Sequence, residues 1–496
     1  MATRRIYIVL VIIALLGCSE REEYIFIDSS LESLSSDSQI FYPNFSPHIH
    51  HYAMLCMQDK TYDILATTNN ENEISINGNT LLGKSNFVTL DNLGLESDIH
   101  INIKNKTSES NYFIHCIDEG FPEFTVTFGS ESLKSNDLYI LAPRYVLNGE
   151  AHQYHLIIDK NAVPRYRKKL DIGQRSIDFK FHRNGYYSYA RRTSKNSFNQ
   201  WDNEIVILDR EFKKINIATT VGLNHTDNHD FLITPDDTYI LMSYNSEYRD
   251  MSNYGLSSNE LTRDSVLQEI TLDGELLMEW NSWDHVDIND CKQHRWPDDY
   301  AHINSVSISE DRNLVLSLRG CSQILKIDRE SGETIWQLGG ANTDFMIIGD
   351  PYKEFCGQHT ASEIKGSLYI FDNGGFCLGE RENDVGQFSR GLKYDLDYDS
   401  MFAEFRLDYS LNNSYSEYTT SGGSLFLTPN DDWIINWALR TGDLNTIEEV
   451  RKDGTLLVSI KMKKGELNPR TYRVYKEKGL YLPLNINGQT SYYYSN

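Results

Sequence analysis

A chain of 496 residues with 40% hydrophobic and 24% charged residues is long enough to bury more than one core and too apolar to be disordered. Its formal net charge of −24 excludes sequence-independent grip on nucleic-acid backbones or anionic lipid, which needs clustered Lys and Arg. The 12% aromatic content, with 31 Tyr, leans towards strands, where such side chains fit the pleat.

The chain opens MATRRIYIVLVIIALLGCSE, with Arg4 and Arg5, an apolar run from Ile6 to Leu16, and then Gly17 and Cys18. The pattern resembles a bacterial lipoprotein signal, in which the small residue before the cysteine permits cleavage and the thiol is acylated. Residues 1–17 are then a signal peptide and Cys18 the lipidated first residue; a plain signal peptide or a short anchor is the alternative. Ser19, rather than Asp, follows Cys18, which points to the outer membrane facing the periplasm. No other apolar run approaches ~18 residues, so the lipid is the one expected contact with a membrane.

Residues 18–130 hold short β-rich runs, EISING, IHINIK, YFIHCI and FTVTF, and are expected to form a small β-sandwich-like domain. Within it PNFSPHIHHY brings His48, His50 and His51 together; a solvated linker is preferred to a metal tract. Six cysteines remain beyond Cys18, and none has CxxC spacing, so zinc and thioredoxin chemistry have little support. Six thiols allow fifteen pairings. Domain membership favours Cys56 with Cys116, Cys291 with Cys321 and Cys356 with Cys377, in an exported compartment where disulfides persist.

Residues 131–496 repeat one unit. Its second half appears as YHLIIDKNAVPRYRKKL at 154, IVILDREFKKINIATT at 205, LQEITLDGELLMEW at 267, ILKIDRESGETIWQLGG at 324, LKYDLDYDSMFAEFRL at 392 and IEEVRKDGTLLVSI at 447. First halves such as HDFLITPDDTYILMSYN and INSVSISEDRNLVLSLR pair two β-rich runs across Asp, Asn or Gly turns, and SNDLYILAPR starts the series. Four strands per ~50 to 68 residues, without helical periodicity, is the pattern of propeller blades. The fold expected is therefore all-β, a six-bladed β-propeller behind the small N-terminal domain, with residues after YRVYKEKGLYLP closing the ring.

In a propeller the first strand of each blade lines the central channel, so residues that open neighbouring first strands converge at one channel mouth. His229 opens HDFLITP, His302 opens HINSVSIS and His359 opens HTASEIK, in three consecutive blades. Arg319 ends NLVLSLR, the strand that pairs back beside His302. Three imidazoles suit zinc, but an adjacent guanidinium repels a divalent cation and Asp230 is the one evident nearby carboxylate. Arg319 points instead to an oxyanion such as sulfate or phosphate, with one imidazole available as a nucleophile. His225, in NHTDNHD, mimics an HxxxH motif but lies in a loop and is expected only to flank the site.

At these residues the chain resembles the bacterial arylsulfate sulfotransferase family. The resemblance runs through NHDFLITPDDTYILMSY, HINSVSISEDRNLVLSLRGCSQILKIDRESGETIWQLGG, GQHTASEIKGSLYIFDNG, FSRGLKYDLD and NDDWIINWA, and through YFIHCIDEGFPEFTV into the N-terminal domain. It implies a six-bladed propeller with an N-terminal β-domain, exported to the periplasm. It also implies sulfuryl transfer from a phenolic sulfate to a phenolic acceptor with no PAPS, no metal and no other cofactor. His359 matches the histidine that becomes transiently sulfurylated; His229, His302 and Arg319 match the residues that hold the sulfuryl oxygens and assist the leaving phenolate. Asn304, Asp230 and Gln358 are expected to support them. Shorter insertions between blades than in the best-known members leave the donor and acceptor open, and a homodimer is among the assemblies left open. Two rival readings use the same mouth: a propeller that captures an anionic aromatic or glycan without turnover, and an aryl sulfate hydrolase in which water resolves the intermediate.

Overall fold

The computed structural model describes residues 29–495 apart from 38, 132–134, 292–295, 376, 378–386, 412–416, 439–444 and 464–466. The stretch expected to be a lipoprotein signal, including Cys18, lies outside the described residues. The architecture is all-β, with six blades around one axis. No helix among the described residues is long and apolar enough to cross a membrane.

The second to fourth blades each run in sequence order from inner to outer strand. The fourth, for example, is Ile303–Ile308, Leu314–Leu318, Gln323–Ile327 and Thr334–Gly339. The middle strands Leu314–Leu318 and Gln323–Ile327 are buried at every position. Blades stacked on both faces leave no solvent side, so burial does not alternate along these strands, and even Gln323 and Lys326 are buried, Lys326 paired with Glu363 at 2.8 Å. The outer strand Thr334–Gly339 has an exposed beginning and a buried end. The fifth blade, His359–Ile364 to Phe402–Tyr409, adds Met346–Ile348 in parallel on its outer edge.

The first blade differs from its expected composition. SNDLYILAPR supplies only Leu138–Leu141, because the innermost strand of that blade is Val474–Glu477 from the far end of the chain. That strand lies inside YRVYKEKGLYLP, not after it; the residues beyond form a hairpin of Tyr481–Ile486 with Gln489–Tyr494. At the other edge of the ring, Glu123–Phe128 pairs with Leu456–Lys463 as a fifth strand of the sixth blade. The strand from the far end of the chain thus completes the first blade and closes the ring.

In the sandwich-like N-terminal domain the two long strands, Tyr62–Ile76 and Asn79–Leu90, change register between Thr67 and Asn72. Tyr62–Ile76 pairs with Ser33–Ser36 before that point and with Asp98–Lys104 after it, so two wings share one core that includes Tyr52, Ile64, Ile74 and Tyr112. His51 is not in a linker: it opens the strand His51–Leu55, and its Nδ1 lies 3.0 Å from His115 Nε2. The domain is tied to the rest through Asp98, which takes hydrogen bonds from Arg167 of the first blade (2.9 Å) and from the Asn485 amide of the C-terminal hairpin (2.8 Å).

Three disulfides, Cys56–Cys116, Cys291–Cys321 and Cys356–Cys377, join the six cysteines as domain membership suggested. Such bonds place the chain in an oxidising, exported environment.

Candidate active site

His359 on the fifth blade's inner strand meets His229 and His302, which stand on the segments leading into the inner strands Leu232–Ile233 and Ile303–Ile308 of the third and fourth blades, and a turn of the fourth blade adds Arg319. His359 is the first residue of the strand His359–Ile364 and is 2% exposed. His302 stands just before Ile303–Ile308 at φ +49°, a left-handed conformation that non-glycine residues adopt at a cost and that concentrates at functional sites. The His229 and His302 rings lie 5.1 Å apart, edge to face.

Arg319 opens the short turn Arg319–Cys321. Its amide donates to the His302 carbonyl (3.1 Å), and the Gly320 amide donates to the Ala301 carbonyl (3.0 Å). A side chain at Gly320 would place Cβ 1.8 Å from the Tyr300 carbonyl oxygen, so the close approach demands glycine. Cys321–Cys291 ties the turn to the preceding loop. In FCGQHTAS, Cys356–Cys377 and the Gly374 amide on the Cys356 carbonyl brace the backbone that leads into His359.

The three imidazoles differ in what holds Nδ1. His302 Nδ1 lies 2.6 Å from Asp299 Oδ2, and His229 Nδ1 lies 2.9 Å from Asp227. Both carboxylates are buried and favour a proton on their histidine. His359 Nδ1 instead lies 2.7 Å from Asn373 Oδ1. The Asn373 amide nitrogen donates to the carbonyls of Thr419 and Gly422, at 2.9 and 3.1 Å, which fixes its oxygen towards His359. His359 therefore carries its proton on Nδ1 and keeps the lone pair on Nε2, where the Gly422 amide donates at 3.0 Å. Arg319 Nη2 donates to the Thr420 carbonyl (3.3 Å), so one segment, 419–422, touches both groups.

Electrostatics separate the same groups. Burial first, then the Arg319 guanidinium, holds His359 well below the ordinary imidazole range, against the opposing hydrogen bond to Asn373. Burial also lowers His302, and Asp299 offsets this only in part, so the imidazole stays below its ordinary range. Burial raises the Asp227 carboxyl, and His229 more than offsets this, leaving it below the usual range. His359 thus faces two imidazoles that each meet a carboxylate, and one guanidinium.

The supporting residues occupy the layer beneath. Asn304 Nδ2 donates to the Gln358 carbonyl (2.7 Å), and Gln358 Nε2 donates to the Leu318 and Gln323 carbonyls at 3.2 and 3.0 Å. Asp230 turns into an ionic cluster with Lys180 (2.5 Å) and Arg473 (2.9 Å) and accepts from the Val306 amide. His225 stands apart: its Nδ1 accepts from the Tyr244 amide and its Nε2 donates to the Trp201 carbonyl. Asp227, Asp299, Asn373 and the Gly422 amide were not read from sequence. Asp227 and Asp299 stand two and three residues before their histidines, a spacing visible in NHTDNHD and PDDYAHINS.

A family model described as arylsulfotransferase (ASST) matches residues 196–463. No curated protein matches the chain. Among solved structures, a protein of unknown function from Bacteroides caccae is similar at 10% identity and a TM-score of 0.43, covering 69% of this chain and 99% of its own. A quinonprotein alcohol dehydrogenase-like protein from Bacteroides thetaiotaomicron is similar at 14% identity and a TM-score of 0.37, covering 88% of this chain and 98% of its own. TolB from Acinetobacter baumannii is similar at 11% identity and a TM-score of 0.38, covering 76% and 79%. The family match spans more than half of the sequence and takes in His229, His302, Arg319 and His359: the chain belongs to the arylsulfotransferase (ASST) family.

Proposed function

We propose that the protein is a PAPS-independent arylsulfate sulfotransferase that moves a sulfuryl group from a phenolic sulfate to a phenolic acceptor through a sulfohistidine at His359. The observation that carries this reading is the tautomer lock: Asn373 holds the His359 proton on Nδ1 and leaves Nε2 unprotonated, its lone pair accepting the Gly422 amide until sulfur takes that amide's place. In the first half-reaction Nε2 attacks sulfur, the N–S bond forms, and the S–O bond to the aryl group breaks with its electron pair on the phenolate. Arg319 offsets charge on the sulfuryl oxygens, and His302 or His229, each backed by a carboxylate, supplies the proton the phenolate takes up. An acceptor phenol reverses these steps, giving its proton to the same imidazole and returning the lone pair to His359. No metal or nucleotide enters the scheme.

Export with a lipid on Cys18, anchored at the outer membrane, belongs to the same proposal and is supported by the N-terminal pattern of basic pair, apolar run and Gly-Cys. Cys18→Ser is expected to release the protein from the membrane fraction.

The deciding experiment incubates purified protein with a chromogenic aryl sulfate, with and without a phenol. Phenol-dependent release identifies a transferase and phenol-independent release a hydrolase; no release identifies a binding propeller. Quenching with donor alone at alkaline pH should leave one sulfuryl group on the peptide GQHTASEIK, and a label on another residue rejects His359 as the nucleophile.

A further inference from the structure

Tyr472 lies outside the residues matched by the family model, and no motif in the sequence singles it out. It arrives with the closing strand, two residues before Val474–Glu477, so ring closure itself delivers it to the channel mouth. Its carbonyl accepts from the Gly423 amide and from Asn436 Nδ2, both at 3.1 Å, which pins its backbone beside the segment that touches His359. The ring stands edge-on to two of the site's imidazoles, 5.8 Å from His229 and 6.1 Å from His359. It spans from the nucleophile to one of the proton carriers.

The ring is half-buried, whereas its hydroxyl oxygen is sealed from solvent and has no hydrogen-bond partner among the described residues. Buried hydroxyls are almost always paired, because an unmade bond forfeits their hydration without return. Burial raises this phenol well above its ordinary value; Arg473 opposes the shift, and Asp178, Asp227 and Asp230 add to it. At neutral pH it is a fixed, uncharged O–H donor at the mouth of a site built for an oxyanion.

We propose that Tyr472 is a catalytic residue of sulfuryl transfer, its Oη–H donating a hydrogen bond to a non-bridging sulfuryl oxygen as sulfur passes from the aryl oxygen to His359 Nε2. The role rests on the sulfotransferase reading above. Tyr472 keeps its proton throughout: the only bonds exchanged at sulfur are the aryl S–O bond, which breaks, and the N–S bond, which forms. A neutral donor complements Arg319, because negative charge on the sulfuryl oxygens then meets donors from the fourth blade and from the closing strand at once.

The test is Tyr472→Phe, which keeps the ring against both imidazoles and removes only the hydroxyl. Release of phenolate from a chromogenic aryl sulfate is followed in single turnover and in steady state with a phenol acceptor. The expected result is a fall of roughly 10- to 100-fold in both rates, with KM for the donor within about twofold and the melting temperature unchanged. Rates within about twofold of wild type, or a loss confined to KM, overturn the proposal. If Tyr472→Phe does not fold, 3,5-difluorotyrosine at 472 replaces it. That phenol ionises at lower pH, so the alkaline limb of the single-turnover rate should move down in pH, and an unmoved limb overturns the role. If the wild-type protein releases no phenolate, the sulfotransferase reading falls and takes this role with it; wild-type release with an unimpaired Tyr472→Phe removes only Tyr472.

Discussion

One side chain, Asn373, separates His359 from its two neighbouring imidazoles. An asparagine oxygen on Nδ1 orients an imidazole without adding charge, whereas Asp227 and Asp299 set a carboxylate against Nδ1 of His229 and His302. Asn373→Asp should therefore raise the pKa of His359, protonate Nε2 at higher pH, and move the acid limb of phenolate release upward. A pH–rate profile of the single-turnover step checks this, and an unmoved limb rules out the tautomer argument. His359→Asn should abolish transfer by orders of magnitude with the fold intact, and Arg319→Lys should slow it strongly, since the ammonium lacks the planar fork that meets two oxygens. The four residues that meet here were legible because each stands at or within three residues of the end of an inner hairpin in neighbouring blades. Their partners were not: an Asp two or three residues before a His is common in loops, and Asn373 reaches His359 only through the pairing of His359 with Phe371 across a hairpin. Nothing local announced Tyr472.

At the scale of the element, the turn Arg319–Cys321 joins fold to chemistry. It hydrogen-bonds the two residues ahead of the inner strand, Ala301 and His302, and so sets where the Arg319 guanidinium stands relative to the His302 ring. Gly320→Ala should destabilise the protein by about 1–3 kcal/mol, because the obstructing atoms are the carbonyl oxygens of Tyr300 and Ala301, which cannot swing aside as a side chain does. Urea denaturation measures the loss. Sulfuryl transfer should fall with it even in conditions where the variant is fully folded, and full activity in a destabilised variant would separate the turn from the site. The blades themselves were readable from hairpins with Asp, Asn and Gly turns, since each hairpin is a local object. The first blade shows the limit: Leu138–Leu141 pairs with Val474–Glu477, and no periodicity near residue 138 points to a partner so far along the chain.

The whole molecule carries a pH dependence spread over its parts. His155 in the first blade and His182 at the end of the second blade's inner strand are both buried, and burial lowers each to about 3. In the N-terminal domain burial lowers His115 to about 4 in spite of Asp98 beside it. In the unfolded chain these imidazoles titrate near 6.5. Below that value the unfolded state binds protons that the folded state refuses, so stability present above pH 6.5 is lost progressively as the pH falls towards 4. Each such histidine contributes a slope of about 1.4 kcal/mol per pH unit across its window, and the three windows overlap although the side chains belong to three different sheets. Melting temperature against pH should be level above about 6.5 and decline steadily below it. His155→Phe gives the sharper reading. Stacking on Phe179 at 4.4 Å suits a phenyl ring, and the substitution removes the hydrogen bond between His155 Nε2 and Ser176 Oγ at 2.7 Å. The variant should melt along a shallower acid slope than wild type, converging with it or overtaking it as the pH drops, because one proton-refusing site has been removed from the folded state. A parallel decline in the two proteins would show that His155 is already charged when folded, and that the acid sensitivity comes from elsewhere.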